Sequence, residues 1–226
     1  MARRTRRREP GTGAGGPPLT GGRTRIAVLV SGAGSNLRAI LDACDRPDYP
    51  AEVVLVAGNR PSAGALELAA GRGVATAALP VSLFGGDRGL RDAALRDRIV
   101  AAGASLVVCA GYDQILGEAV LDAFPGALLN LHPSLLPAFA GGMHAVEDAL
   151  DYGAKVTGCT VHFIDKGAPD GGAVILQRAV EVRDDDTPDT LRERVHHAEW
   201  EALPLAVELW CRGRLRRDGR RVSAVP

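Results

Sequence analysis

From residue 25 to residue 131 the chain alternates short apolar runs with stretches of helical spacing, and that alternation restricts the fold more than any other feature. The apolar runs cover residues 25–31, 52–57, 74–79, 105–109 and 127–131. They read as strands buried on both faces, the pattern of a parallel sheet. Between them, residues 37–43, 63–72, 87–102 and 116–124 repeat apolar residues at helical intervals. In the third of these, Leu90, Ala94, Leu95, Ile99 and Val100 are expected to face the core. Strand–helix alternation of this kind predicts an α/β fold with a doubly wound parallel sheet. Ligands of such sheets gather at the carboxyl ends of the strands.

Two stretches stand at those ends. The first run continues into Gly32-Ala33-Gly34-Ser35-Asn36 and then into a helix. The glycines allow close backbone approach, and Ser35 and Asn36 suit a helix start, whose free amides form a site for a phosphate. Arg38 stands where the third glycine of a dinucleotide fingerprint would fall, and the Lys-Ser/Thr pair of a P-loop is missing, so a mononucleotide phosphate fits better. A plain tight turn is the competing reading. The fifth run reads Leu-Leu-Asn-Leu-His-Pro-Ser-Leu-Leu-Pro over residues 128–137. Asn130 and His132 are two residues apart, so an extended backbone sends both side chains to one side. Pro133 lacks the N–H that would continue the pairing, and Pro137 stiffens the loop that follows.

Beyond this point residues 144–152 read as a short helix, and residues 156–164 and 173–182 as a hairpin-like strand pair. The loop between those strands, residues 165–172, holds Asp165 and Asp170. A long helix starts at Thr187-Pro188-Asp189, runs to residue 212 with Leu191, Val195, Leu203 and Val207 inward, and stops at Gly213. With 226 residues and 46% hydrophobic content the chain can bury one sizeable core. The expected organisation is a disordered Arg/Gly/Pro-rich tail over residues 1–24, one domain over 25–213 and a basic tail over 214–226, frayed or a short β segment. The first tail holds six arginines against Glu9, which leaves 21 basic against 26 acidic residues in the rest. A mildly acidic folded part argues against a nucleic-acid binder. Without an 18-residue apolar run or a signal-peptide core, a soluble cytoplasmic protein with no membrane partner is expected. Cys44, Cys109, Cys159 and Cys211 are too scattered for a disulfide framework or a zinc site, so they are read as reduced packing residues, with no metal.

Ser31-Gly32-Ala33-Gly34-Ser35-Asn36, Ala110-Gly111-Tyr112, Asn130-Leu131-His132-Pro133-Ser134-Leu135-Leu136-Pro137, Gly158-Cys159-Thr160-Val161-His162-Phe163 and Asp170-Gly171-Gly172 occur in this order. Over residues 25–213 the chain thereby resembles the phosphoribosylglycinamide formyltransferases. The resemblance implies a Rossmann-like formyltransferase fold: a mostly parallel central sheet flanked by helices, with a C-terminal antiparallel strand pair. It implies formyl transfer from the co-substrate 10-formyltetrahydrofolate to the amine of glycinamide ribonucleotide in purine synthesis, without metal or nicotinamide. The partners would be these small molecules, and the enzyme a monomer or a homodimer. By the same resemblance Asn130, His132 and Asp170 are catalytic, Gly34, Ser35 and Asn36 hold the ribonucleotide phosphate, and Glu199 holds the ribose hydroxyls. Arg88 and Asn130 would contact the folate, Asp113, Gln114, Ile115 and Leu116 would border its pterin through their backbone, and the Leu136–Pro137 peptide would be cis.

The chemistry asks for the same residue types. An amine attacking a formyl carbon builds an alkoxide and a cationic nitrogen, so the site needs donors for the oxygen and an acceptor for a proton. Asn130 and a protonated His132 supply the donors. A nearby Asp170 favours the charged imidazole and can relay the proton to the leaving nitrogen, directly or through water. Asp170 could equally be a turn residue, His162 is expected to be a satisfied core histidine or one that supports the site from behind, and His144, His196 and His197 are expected to be structural or exposed. The chain departs from the family pattern in Asp113, usually apolar, Gln114, often basic, Ala173 for Pro, Trp200 for His, and one extra residue each around residues 141–143 and before Asp170. An anion at residue 113 would weaken folate binding unless the contact there is through backbone. Methionyl-tRNA formyltransferases share the Asn, His and Asp, but add a tRNA-binding domain and differ in the first loop. Formyltetrahydrofolate hydrolases use water in place of the amine and add an N-terminal regulatory domain, for which residues 1–24 are too short. A non-catalytic paralogue would bind either ligand without turnover.

Overall fold

A computed structural model of the chain describes residues 22–167 and 169–225. The parallel part alternates as expected: β1 (Thr24–Val30), α1 (Ser35–Cys44), β2 (Ala51–Gly58), α2 (Gly64–Gly71), β3 (Thr76–Ala78), α3 (Arg88–Ala101), β4 (Leu106–Cys109), α4 (Glu118–Leu121) and β5 (Leu128–His132). There follow α5 (Ala145–Asp151), β6 (Val156–Phe163), β7 (Val174–Glu181), α6 (Pro188–Cys211), β8 (Leu215–Asp218) and β9 (Arg221–Ala224). Seven strands form one sheet in the order β3-β2-β1-β4-β5-β6-β7, and β8 pairs with β9 apart from it. β1 to β5 run parallel to one another, whereas β6 is antiparallel to both β5 and β7. The predicted hairpin pair therefore extends the central sheet, and the separate C-terminal antiparallel pair is β8–β9.

The strand residues explain the layers. Along β1, Ile26, Val28 and Val30 enter one core while Ala27 and Leu29 enter the other, so the strand is buried on both faces. The first core is closed by α1 and α6 through Leu37, Ile40, Leu203 and Val207, and the second by α3 and α4 through Leu95, Ile99 and Val120. Strand order reverses between β1 and β4, so the loops after these strands diverge and leave a crevice at their carboxyl ends.

Three expectations need correction. Leu90 and Val100 are 59% and 58% exposed, and α3 instead turns Arg91, Asp92, Leu95 and Ile99 inward. At about 100° per residue, Leu90 and Val100 lie roughly 140° from Leu95, too far round to share its face. The helix expected over residues 116–124 shrinks to Glu118–Leu121, because the residues before it form the wall described below. Arg23 and Thr24 belong to the fold: Arg23 donates to Cys44 O at 2.7 Å and Arg46 O at 2.8 Å, and Thr24 opens β1. The tail reading of residues 1–21 lies outside the described residues. All four cysteines are free and buried. Among the described residues no helix is long and apolar enough to cross a membrane.

Candidate active site

The β5–β6 register builds the centre of the site. Asn130 stands opposite His162 and His132 opposite Thr160. Facing residues of an antiparallel pair share a side of the sheet, so the amide and both imidazoles converge. Asn130 Nδ2 lies 3.1 Å from His162 Nε2, and His162 Nδ1 lies 2.8 Å from Phe163 O. The loop between β6 and β7 brings Asp170 over them. Its Oδ1 accepts from Asn130 Nδ2 at 3.3 Å and lies 3.4 Å from His162 Nε2. Its Oδ2 lies 3.4 Å from His132 Nδ1 and accepts from Gly141 N at 2.9 Å. The other ring nitrogen of His132, Nε2, sits 2.9 Å from Phe139 O. Each ring nitrogen of His132 thus faces an oxygen acceptor, an arrangement that two N–H donors fill.

His162 is the largest influence on Asp170; burial opposes it, and the Gly141 N–H and His132 reinforce it, so the carboxyl is held down to about 2. His132 and His162 are 5% and 1% exposed. Thr160 fixes the loop that leaves β5: its Oγ1 donates to Ser134 O at 2.6 Å and accepts from Leu136 N at 3.0 Å. Gln177 Nε2 donates to Leu136 O at 3.0 Å, and the Leu136–Pro137 peptide is cis, as the resemblance implies.

Asn130, His132, His162 and Asp170 line a cavity of about 480 Å³ whose far wall is Tyr112, Asp113, Gln114, Ile115 and Leu116. The buried Arg91–Asp92 pair holds this wall from behind. Arg91 donates to Tyr112 Oη at 3.2 Å and Ile115 O at 3.4 Å, and Asp92 Oδ2 accepts from Gly117 N at 2.8 Å. The Asp113 carboxylate is engaged by Asn59 Nδ2 at 2.8 Å, Gln114 Nε2 at 2.9 Å, Ser31 Oγ at 3.1 Å and the Arg60 guanidinium. Burial works against it, but these donors hold its pKa below the usual carboxylate value. The anion at residue 113 is therefore neutralised at the ends of β1 and β2. Arg88 is exposed at the first turn of α3 and does not line the cavity.

A second cavity, of about 240 Å³, shares Gly111, Leu131, Pro133 and Met143 with the first and reaches Asn36 and Glu199. Gly34 caps α1 with φ +92°, and a Cβ there would lie 2.8 Å from Ala65, so both conformation and space require glycine. No side chain caps the first amides of α1. Asn36 Nδ2 donates to Glu199 Oε2 at 2.9 Å, while Asn36 Oδ1 is buried without a hydrogen-bond partner. Burial pushes the Glu199 carboxyl up to about 7, with the Asn36 contact opposing. A carboxyl raised from 4.5 binds its proton more tightly in the folded state, so its contribution to stability falls as pH rises from about 4.5 to about 7. Glu199→Gln is accordingly expected to raise the melting temperature at pH 8 by a few degrees. Thermal melts at pH 5 and pH 8 check the effect.

The structure thus gathers Asn130, His132 and Asp170 at one point, Gly34, Ser35, Asn36 and Glu199 around α1, and residues 113–116 along a wall. It puts His162, buried, behind Asn130 and Asp170, the supporting place expected of it, and adds the Arg91–Asp92 pair, which looks like surface charge.

The family pattern described as formyl transferase matches residues 24–207, and the chain belongs to that family. It is similar to the phosphoribosylglycinamide formyltransferase of Mycobacterium tuberculosis (strain ATCC 25618 / H37Rv), at 45% identity over 187 residues, 81% of this chain and 83% of that protein. The crystal structure of glycinamide ribonucleotide transformylase 1 from Symbiobacterium toebii superimposes with a TM-score of 0.87 at 43% identity, covering 93% of this chain and 99% of that one. The trifunctional purine biosynthetic protein adenosine-3 of Drosophila melanogaster is 40% identical over 193 residues, 84% of this chain. The chain spans only 14% of that protein's length, and 20% of the Bos taurus counterpart.

Proposed function

We propose that the protein transfers the formyl group of 10-formyltetrahydrofolate to the amine of glycinamide ribonucleotide, a step of purine synthesis in the cytoplasm. The observation that carries the reading is one carboxylate, Asp170, within 3.4 Å of an imidazole and an amide that project from the same strand face where two cavities meet. The wider cavity suits the folate, its pterin against the backbone of residues 113–116, with Asn130 at the inner end and Arg88 available only from outside the lining. The narrower one suits the ribonucleotide. Its phosphate meets the free amides of α1 at Gly34, Ser35 and Asn36, and its ribose hydroxyls meet Glu199 and the unpartnered Asn36 Oδ1.

The reacting amine then points to the shared opening beside His132. As nitrogen bonds to the formyl carbon, the carbonyl oxygen gains negative charge and takes N–H donors from Asn130 and from His132, whose Nε2 turns from Phe139 O to make the contact. Asn130 gives up its long 3.3 Å bond to Asp170 at little cost to make this contact. Asp170 stabilises the His132 cation and passes the amine proton, directly or through water, to the folate nitrogen as the bond from that nitrogen to the formyl carbon breaks. A carboxyl held down to about 2 is ionised when the amine attacks, so it is free to accept the proton or to orient the water that carries it.

Single-turnover assays with 10-formyltetrahydrofolate, with and without glycinamide ribonucleotide, test the reading. Amine-dependent loss of formylfolate matched by formylated ribonucleotide supports it. Loss of formylfolate without the amine would make the protein a hydrolase, and binding without reaction a non-catalytic relative.

A further inference from the structure

The β8–β9 hairpin grips the loop that carries Asp170. Arg217 of β8 makes a two-pronged ion pair with Asp165, Nη1 to Oδ1 at 2.9 Å and Nη2 to Oδ2 at 2.5 Å. Its guanidinium lies 5.3 Å from the centroid of the Phe163 ring, at the end of β6, and its Nε donates to Gly219 O at 2.9 Å in the hairpin turn. Arg220 Nη1 donates to Gly171 O at 2.6 Å, one residue beyond Asp170. The hairpin itself is fixed: Leu215 is 1% exposed in the main core, and Arg214 Nε donates to Val225 O at 2.8 Å.

Asp170 needs such support. Its φ is +54°, a region that residues other than glycine hold only when their surroundings enforce it. Its one backbone donor, Gly141, belongs to another loop. The base of its own loop is shut by Gly172, where a Cβ would lie 1.7 Å from Phe163 O, but the span between is held by the two arginines.

We infer that Arg217 and Arg220 are positioning residues for formyl transfer: the C-terminal hairpin acts as a brace that holds the Asp170 loop at reacting distance from His132 and Asn130. The inference rests on the proposed reaction for its effect on turnover, but the brace can be measured without substrate. The fork of the Arg217 guanidinium matches both carboxylate oxygens with two parallel N–H bonds, which a single ammonium nitrogen does not reproduce. A misplacement of about 1 Å at a reacting group costs up to about a hundredfold in rate.

The test uses the full chain with Arg217→Leu, Arg217→Lys and the milder Arg220→Ala, and the exposed Arg216→Ala on the same strand as control. Amide hydrogen exchange without ligands is expected to quicken in residues 165–172 and stay unchanged in β1 and β4. Turnover is expected to fall about tenfold or more in Arg217→Leu, and less in Arg217→Lys and Arg220→Ala, with the KM for glycinamide ribonucleotide unchanged. Unchanged exchange in the loop, or quicker exchange with unchanged kcat, overturns the brace. Equal acceleration across the whole sheet would show a general stabiliser instead and also overturn it. Absence of transfer by the wild-type chain would sink the proposed reaction and leave the exchange comparison to decide the brace.

Discussion

His132→Ala is expected to lower formyl transfer by roughly a thousandfold or more while glycinamide ribonucleotide still binds with near wild-type affinity. In the proposed reaction the imidazole puts an N–H on the developing oxyanion while its other nitrogen stays 3.4 Å from the Asp170 carboxylate. Removing an oxyanion donor costs about a hundredfold to a thousandfold, and loss of coupled proton management adds to it. The proposed anchors of the ribonucleotide lie elsewhere, on α1 and α6, where Asn36 donates to Glu199 at 2.9 Å. Titration calorimetry with glycinamide ribonucleotide and single-turnover rates separate the two effects. Equal loss of binding and turnover would remove the proposed role.

Asp170→Asn should cost about as much, because the amide keeps the size of the carboxylate and discards its charge. The double variant with His132→Ala should be no slower than the worse single one, since groups that act as a unit fail together. A variant with wild-type rate would leave the proton relay without its carrier. The same substitution has a signature in acid. The folded-state value of about 2 lies below the ordinary 3.8, so Asp170 contributes stability above pH about 3.8 that is lost as pH falls through about 2. The shift corresponds to about 2 kcal/mol. Urea melts at pH 6 and pH 3 should therefore show a steeper loss of stability for the wild type than for Asp170→Asn.

The layered sheet is legible in the amino-acid sequence, because the first five strands are buried on both faces and carry the continuous apolar runs that such burial demands. Asn130 and His132 are legible for the same geometric reason, a spacing of two in an extended segment. Asp170 enters only by resemblance: nothing local says that β6 folds back antiparallel on β5, which is what returns a residue 38 positions beyond His132 to its side. His162 becomes a partner of Asn130 through that same pairing, and local sequence shows merely a histidine among apolar neighbours. Arg91 and Asp92 escape the helix reading because two adjacent charges resemble a solvated face, yet each answers the other and the wall beyond it. The C-terminal hairpin reads as a basic tail, frayed or short β, because its strands are four residues each, too short and too charged to settle the pattern.

The ladder between β5 and β6 also decides where this protein can change length. Spacing of Asn130, His132 and His162 is measured out by backbone rungs, not by the segment that connects the strands. A residue gained within residues 133–155 reshapes the mouth of the cavities and leaves those distances alone. A residue gained within β5 or β6 turns amide and imidazole to opposite faces of the sheet. The two extra residues that the resemblance implies, around residues 141–143 and before Asp170, would both fall off the ladder. Changes of length in this fold are thus steered into how the cavities are enclosed, and the ladder keeps Asn130, His132 and His162 at their spacing.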